Sequence, residues 1–390
     1  MLNFTYYSPT LIEFGRDTQH KVGELTKRFG GSKVLLHYGG KSAESSGLLD
    51  QVRKSLNSVG IEFVELGGVK PNPRLDLVYE GIELARRENI DFILAVGGGS
   101  VLDSAKAIAV GVPYEGDVWE LFETRRPVDR VMPLGTIITL PATGSEASNS
   151  SVINNQEQKK KYGYRSELIR PLFSIMNPEL TYTLPDFQVA CGAVDMMSHI
   201  LERYFSNTPN CDLTDRQSEV VLKSIIENTL KIFEDGENYD ARANVFWAGT
   251  IAHNNILGIG KEQDWASHAI EHELSALYDV AHGAGLATVL PAYMKFTLPR
   301  QVMRYAQLAH RVWDIEMNFQ NPEETALQGI EAFEDFFASI GMPTTFAQLG
   351  AKAEDIPYLS EHCRLNNGDK LGFFVPLSRE DIAEIYKLCL

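Results

Sequence analysis

Five histidines, His199, His253, His268, His272 and His282, crowd into one stretch of a chain that holds nine in all. Asp195 lies four residues before His199, and His268 four before His272, so on helices each pair shares a face. A lone histidine is usually a hydrogen-bonded core or surface residue. One carboxylate with three imidazoles is a donor set for a divalent cation, and both Fe2+ and Zn2+ accept it. His282-Gly283 follows a helix-like segment and is expected to turn back onto the same ion. A rival pattern overlaps the set: His268-Ala269-Ile270-Glu271-His272 fits HxxEH, an inverted zinc-peptidase signature with Glu271 as general base. It accounts for neither Asp195 nor His199.

Three turns offer a second kind of chemistry. Asp91 to Ser100 reads DFILAVGGGS, an apolar run entering Gly97-Gly98-Gly99-Ser100, and a helical pattern follows. Consecutive glycines let the backbone approach a ligand, and the N–H groups and dipole of the next helix favour an anion, so a pyrophosphate fits there. The loop is not GxGxxG, because Leu102 stands where the last glycine belongs. Gly39-Gly40-Lys41-Ser42 follows another apolar run without completing a P-loop, since Leu35 replaces the required earlier glycine. A third turn, Thr139-Leu140-Pro141-Ala142-Thr143-Gly144-Ser145-Glu146, surrounds a glycine with hydroxyls that suit phosphate oxygens or helix capping.

Turns of this kind act at strand ends, so strands must precede them. Residues 33–37, 61–66, 91–96 and 136–140 read as strands, with helical patterns near 44–59, 75–88 and 101–110 between them. This βαβα order predicts a doubly wound, Rossmann-like parallel sheet whose ligands lie beyond the carboxyl ends of its strands. Past Pro185 the strand signals fade, and helices are expected over 186–205, 214–233, 240–256, 264–277, 300–313, 322–340 and 379–389. The expected organisation is an α/β domain over 1–185 that binds a dinucleotide and an all-α domain over 186–390 that binds the metal.

The chain of 390 residues is 44% hydrophobic and 23% charged, which is the composition of a folded globular protein. A formal net charge of −16 opposes nucleic acid and anionic membranes as partners. No apolar run approaches the ~20 residues of a bilayer span and no leader pattern opens the chain, so a cytoplasmic protein is expected. Cys191, Cys211, Cys363 and Cys389 form no CxxC pair, in keeping with a reducing compartment.

Taken in order, Pro71-Asn72-Pro73, Gly97-Gly98-Gly99-Ser100-x-x-Asp103-x-x-Lys106, Thr139-x-Pro141-x-Thr143-Gly144-Ser145-Glu146, Asn177-Pro178-Glu179-Leu180, Asp195-x3-His199 and His268-x3-His272 to His282-Gly283 resemble the iron-containing alcohol dehydrogenase family. The likeness spans essentially the whole chain and is strongest to the butanol dehydrogenase and broad aldehyde reductase branch. It implies a dehydroquinate-synthase-like architecture and a metal-dependent oxidoreductase that interconverts primary alcohols and aldehydes of the butanol/butanal type with NAD(P)(H). It also implies metal ligation by Asp195, His199, His268 and His282, and proton transfer through His272. Cofactor contacts carry over to Asn72, Gly98, Gly99, Ser100, Asp103, Thr139, Thr143 and Lys161. Gly97, Leu140, Gly39, Gly40, Lys41 and Ser42 join them from the turns themselves.

No acidic residue closes the 33–37 strand to grip a ribose 2′-hydroxyl, and Lys41 with Ser42 suits a 2′-phosphate, so NADP(H) is expected over NAD(H). Glu44 opposes that phosphate by its charge. Alternatives within the same fold are a polyol dehydrogenase and a sugar-phosphate lyase, and outside catalysis a nucleotide-binding protein. A homodimer is expected through an edge strand within 4–14.

Overall fold

The structure, a computed structural model, describes residues 1–40 and 42–390. The described residues form two compact units, Tyr7–Leu184 and a helical unit of Pro185–Leu390 joined by Met1–Tyr6.

The first unit carries β1 (Leu11–Phe14), β2 (Lys33–Tyr38), β3 (Glu62–Leu66), β4 (Phe92–Gly97), β5 (Leu134–Ile138), β6 (Ser150–Asn155), β7 (Lys160–Arg165) and β8 (Phe173–Met176). Its helices are α1 (Val22–Arg28), α2 (Ser42–Ser45), α3 (Leu48–Ser58), α4 (Leu75–Arg87), α5 (Gly99–Gly111) and α6 (Val118–Thr124). Six strands pair in parallel in the order β1-β8-β5-β4-β2-β3, and β6 and β7 form a separate antiparallel hairpin. Helices cover both faces, which is why β4 is buried at every residue and reads as a continuous apolar run.

On one face Val34, Leu36, Phe92, Leu94 and Ile137 pack with Val22 and Leu25 of α1 and with Leu49, Val52 and Leu56 of α3. Residues one step along the pleat turn to the other face, where the His37 ring meets Ser104 of α5. From β2 the chain runs outward to β3, then crosses back to β4 and on to β5. The strand order therefore reverses between β2 and β4, and the crevice beyond their carboxyl ends is the switch point where such sheets take ligands.

Several expectations shift. The helix over 44–59 is divided at Gly47, whose φ of 75° breaks the α-helical path between α2 and α3. The strand over 136–140 lies two residues earlier, which releases Thr139 and Leu140 into the turn. The edge strand within 4–14 is confined to Leu11–Phe14. The first six residues go with the helical unit, where Leu2 N–H donates to the Gly260 carbonyl at 2.8 Å.

The helical unit is built from α7 (Asp186–Tyr204), α8 (Asp212–Glu234), α9 (Tyr239–His253), α10 (Ala266–Tyr278), α11 (His282–Thr297), α12 (Val302–Trp313), α13 (Pro322–Ser339), α14 (Phe346–Leu349), α15 (Ile356–His362) and α16 (Arg379–Lys387). His282 is thus the first residue of a long helix rather than a loop residue beyond one. Among the described residues no helix is long and apolar enough to cross a membrane.

Candidate metal centre and nucleotide-binding turns

Three helices of the second unit deliver the expected cation donors. Asp195 and His199 lie one turn apart on α7, His268 is on α10, and His282 opens α11. Asp195 Oδ1 stands 3.7 Å from His199 Nδ1, 3.9 Å from His268 Nε2 and 3.7 Å from His282 Nε2. These separations are too long for hydrogen bonds. They match donors arranged around one ion: bonds of about 2.1 Å in a tetrahedron set ligand atoms about 3.4 Å apart. The donor atoms of Asp195, His268 and His282 all lie within 4.8 Å of one another.

Asp195 Oδ1 and His268 Nε2 are buried and make no hydrogen bond. Leaving such atoms unmatched costs about 1–3 kcal/mol each, a penalty that a cation removes. The residues therefore fit a divalent ion. Close approach of α11 to α7 depends on Gly283: a Cβ there would lie 2.2 Å from the Cys191 carbonyl oxygen.

Behind these donors are carboxylates to which the sequence reading gave no such place. Glu202, one turn beyond His199 on α7, uses a single oxygen to accept from His268 Nδ1 at 3.0 Å, His268 N–H at 2.9 Å and Ser267 Oγ at 2.6 Å. Glu271, fully buried, accepts from His282 Nδ1 and from the Ser275 hydroxyl. Each carboxylate fixes the far nitrogen of its histidine and turns Nε2 toward Asp195, the arrangement that orients metal-bound imidazoles. Glu271 is therefore committed to His282, which explains the HxxEH pattern without a peptidase. Burial alone lowers the His268 pKa, but the carboxylates of Asp195 and Glu202 outweigh it and raise it to about 9.

His199 stacks on His253 with ring centroids 4.0 Å apart. Arg203 donates to His253 Nδ1 at 2.9 Å and to the His199 carbonyl at 2.6 Å, and its guanidinium lies 4.7 Å over the Trp265 ring. His272 is half-buried, with its ring 5.5 Å from that of His282. Glu202 and Arg203 were readable in principle, since they follow His199 by three and four residues on one helical face.

In the first unit the turns converge. Gly97 ends β4 with φ of 157°, and α5 starts at Gly99 without a side-chain cap, so its first N–H groups are not claimed by a capping side chain. A Cβ on Gly99 would lie 2.3 Å from Thr143 Oγ1, and one on Gly98 would lie 3.3 Å from Leu140. Gly97, Gly98, Gly99, Leu140 and Thr143 are thereby brought together. Thr139 N–H donates to the Gly97 carbonyl at 3.0 Å, and Ser100 follows in the first turn of α5. Gly39 faces the same helix, with its would-be Cβ 3.5 Å from Val101, and Gly40 opens onto free space. Lys41, and with it the Ser42 side chain, lies outside the described residues.

Asp103 is an organiser of the third turn. Its carboxylate accepts from Ser145 Oγ at 2.7 Å and Val152 N–H at 2.9 Å, and its carbonyl from Ser151 Oγ at 2.8 Å. Lys106, fully buried, donates to the carbonyls of Ser145, Ser148 and Ser150 at 2.7 to 3.0 Å. Burial pulls its pKa down to about 8 against the opposing charges of Asp103 and Glu146. Lys161 on β7 donates to Asn72 Oδ1 at 3.1 Å, which joins two further expected cofactor residues. Asn72 sits in a left-handed conformation with φ of 53°.

Comparison with known proteins supplies the chemistry's context. Residues 9–178 match the family model described as iron-containing alcohol dehydrogenase, and residues 189–390 match the Fe-containing alcohol dehydrogenase family, C-terminal. The chain is 43% identical, over all of both chains, to a Bacillus subtilis protein named "Probable NADH-dependent butanol dehydrogenase 1". It is 36% identical to the NADPH-dependent aldehyde reductase YqhD of Escherichia coli over 95% of each chain. The crystal structure of NADH-dependent butanol dehydrogenase A from Thermotoga maritima superposes with a TM-score of 0.96 at 42% identity, covering 100% of this chain and 99% of that one.

Proposed function

The chain belongs to the iron-containing alcohol dehydrogenase family and is a metal-dependent, NAD(P)-using oxidoreductase of alcohols and aldehydes; on that premise we propose that Asp195, His199, His268 and His282 hold the iron and the glycine turns hold the nucleotide. The observation that carries the metal assignment is the buried Asp195 oxygen, which makes no hydrogen bond and faces three imidazole nitrogens at 3.7 to 3.9 Å. Primary alcohols of the butanol type and their aldehydes are the substrates.

When bound, the divalent ion acts as a Lewis acid on the substrate oxygen and the nicotinamide gives or takes the hydride. The chain's own part is placement. Asp195 brings the negative charge that holds the cation, while Glu202 and Glu271 keep the lone pairs of His268 and His282 aimed at it. The N–H groups at the start of α5 receive the pyrophosphate, and Asp103 and Lys106 lock the third turn against Gly99. His272, half-buried beside His282, passes the proton between the substrate oxygen and water.

The expected NADP(H) preference rested on Lys41 and Ser42. The carboxylates of Glu44, Asp50 and Glu65 around the β2 turn support NAD(H) instead. We place the enzyme in the cytoplasm as a homodimer that pairs through β1, one of the two edge strands of the sheet.

The deciding test is butanal-dependent NAD(P)H oxidation before chelation, after it, and after iron is restored. Loss and recovery with iron support the reading. Undiminished turnover in protein assayed free of metal would sink it. His272→Ala should depress turnover and alter its pH profile while leaving metal content intact, and an unchanged profile rejects the proton-transfer role.

A further inference from the structure

Arg53 on α3 is gripped from every side. Its five N–H groups make five charge-assisted bonds: Nη1 and Nη2 to the two Glu44 oxygens at 3.1 and 3.0 Å, Nε and Nη2 to the two Glu65 oxygens at 2.9 Å, and Nη1 to Asp50 at 2.9 Å. Tyr38 adds its hydroxyl to Glu65 at 3.1 Å. Three carboxylates around one guanidinium leave an excess of negative charge, and Glu44 and Asp50 are largely exposed.

The position of this cluster gives it meaning. Tyr38 ends β2, Glu65 lies one residue from the end of β3, and Glu44 sits on α2 just after the Gly39-Gly40 turn. Tyr38 is paired with Val96 of β4, beside the Gly97 turn. In doubly wound sheets the adenosine ribose lies at this place, over the strand next to the pyrophosphate turn, and its 2′ position decides between NAD and NADP.

We propose that Glu44 is the residue that sets nucleotide preference, and that it sets it toward NADH. A 2′-phosphate brings two negative charges and needs donors, yet Arg53 has none to spare and the surrounding charge repels it. A ribose 2′-hydroxyl is uncharged and meets no such repulsion. The inference rests on the nucleotide occupying the β4 turn as proposed above. It deepens that reading by naming the side chain that chooses the cofactor.

The test compares NADH and NADPH on the full-length protein, by fluorescence titration and by kcat/KM with butanal. The wild-type chain should favour NADH. Glu44→Gln should raise the NADPH/NADH ratio on the order of ten-fold, as expected for one charge removed at short range near a surface. The rise should vanish in Glu44→Gln/Arg53→Gln, which lacks the freed guanidinium, and the wild-type preference should narrow in high salt. An unchanged ratio in Glu44→Gln, with both nucleotides still binding, overturns the proposal and leaves the cofactor site standing, as does a wild-type preference for NADPH. Failure of either nucleotide to bind the wild-type chain overturns the cofactor site along with it.

Discussion

Glu202 collects three hydrogen bonds on one oxygen while its second oxygen makes none, all of it out of reach of water. Such a carboxylate is retained for its charge and its hold on His268. Glu202→Gln keeps the size and loses the charge, so metal affinity should fall about 10–100-fold, read by competition with a calibrated chelator. His37 makes a different kind of residue-level statement. The Leu66 carbonyl at 2.9 Å can only accept, so Nδ1 carries the proton and Nε2 accepts from Ser104. Burial lowers its pKa from 6.5 to about 4, against the smaller opposing effect of the Leu66 bond. Above pH 6.5 both folded and unfolded chains hold it neutral; as pH falls toward 4 only the unfolded chain takes up the proton, and stability is lost across that window. From pH 7 to 5 the loss is roughly 2 kcal/mol. His37→Gln should unfold in urea with a correspondingly smaller difference between those two pH values.

Among the elements, α11 shows best how one residue places a donor. With Ala at 283, the new methyl would press on the Cys191 backbone and push α11 away from α7. Gly283→Ala should cost about 1–3 kcal/mol by overpacking and release most of the bound metal, measured by thermal melting and metal analysis. Lys106→Met takes the donor from three carbonyls at the end of the third turn and the start of β6, so nucleotide affinity should drop while metal content holds.

The same elements show what could be read in advance. α8, α9, α12, α13 and α16 announce themselves through apolar spacing, because each has a wet face and a dry one. α11 does not: HGAGLATVLPAYMKFT is buried almost throughout and carries Pro291 inside, so no face stands out. β8 is four buried residues, too short to show a period, and β6 with β7 is a largely polar hairpin without an apolar alternation. The residues proposed as donors, Asp195, His199, His268 and His282, stood out in the sequence because cation-binding chemistry restricts residue type. The hold of Glu271 on His282 and the Arg53 cluster did not, because those roles depend on partners distant in sequence.

At the scale of the molecule, the residues assigned to the cation lie in one compact unit and those assigned to the nucleotide lie in the other. Ligands that bind only the folded form stabilise what they bind, by about 4 kcal/mol at a thousand times Kd. Calorimetry should therefore show iron raising the Tm of one transition and NADH that of another. A single transition shifted equally by both would mean that the units unfold as one.

The division also fixes an order in time. Protein synthesis proceeds from the amino end at ~5–20 residues per second, so the stretch from Leu184 to His282 takes on the order of ten seconds to emerge. Throughout that interval the nascent sheet unit has every turn proposed to meet a dinucleotide, while the proposed ring of cation donors is incomplete. On the ribosome the redox carrier can be greeted first, and the iron must wait for the last helix of its cage.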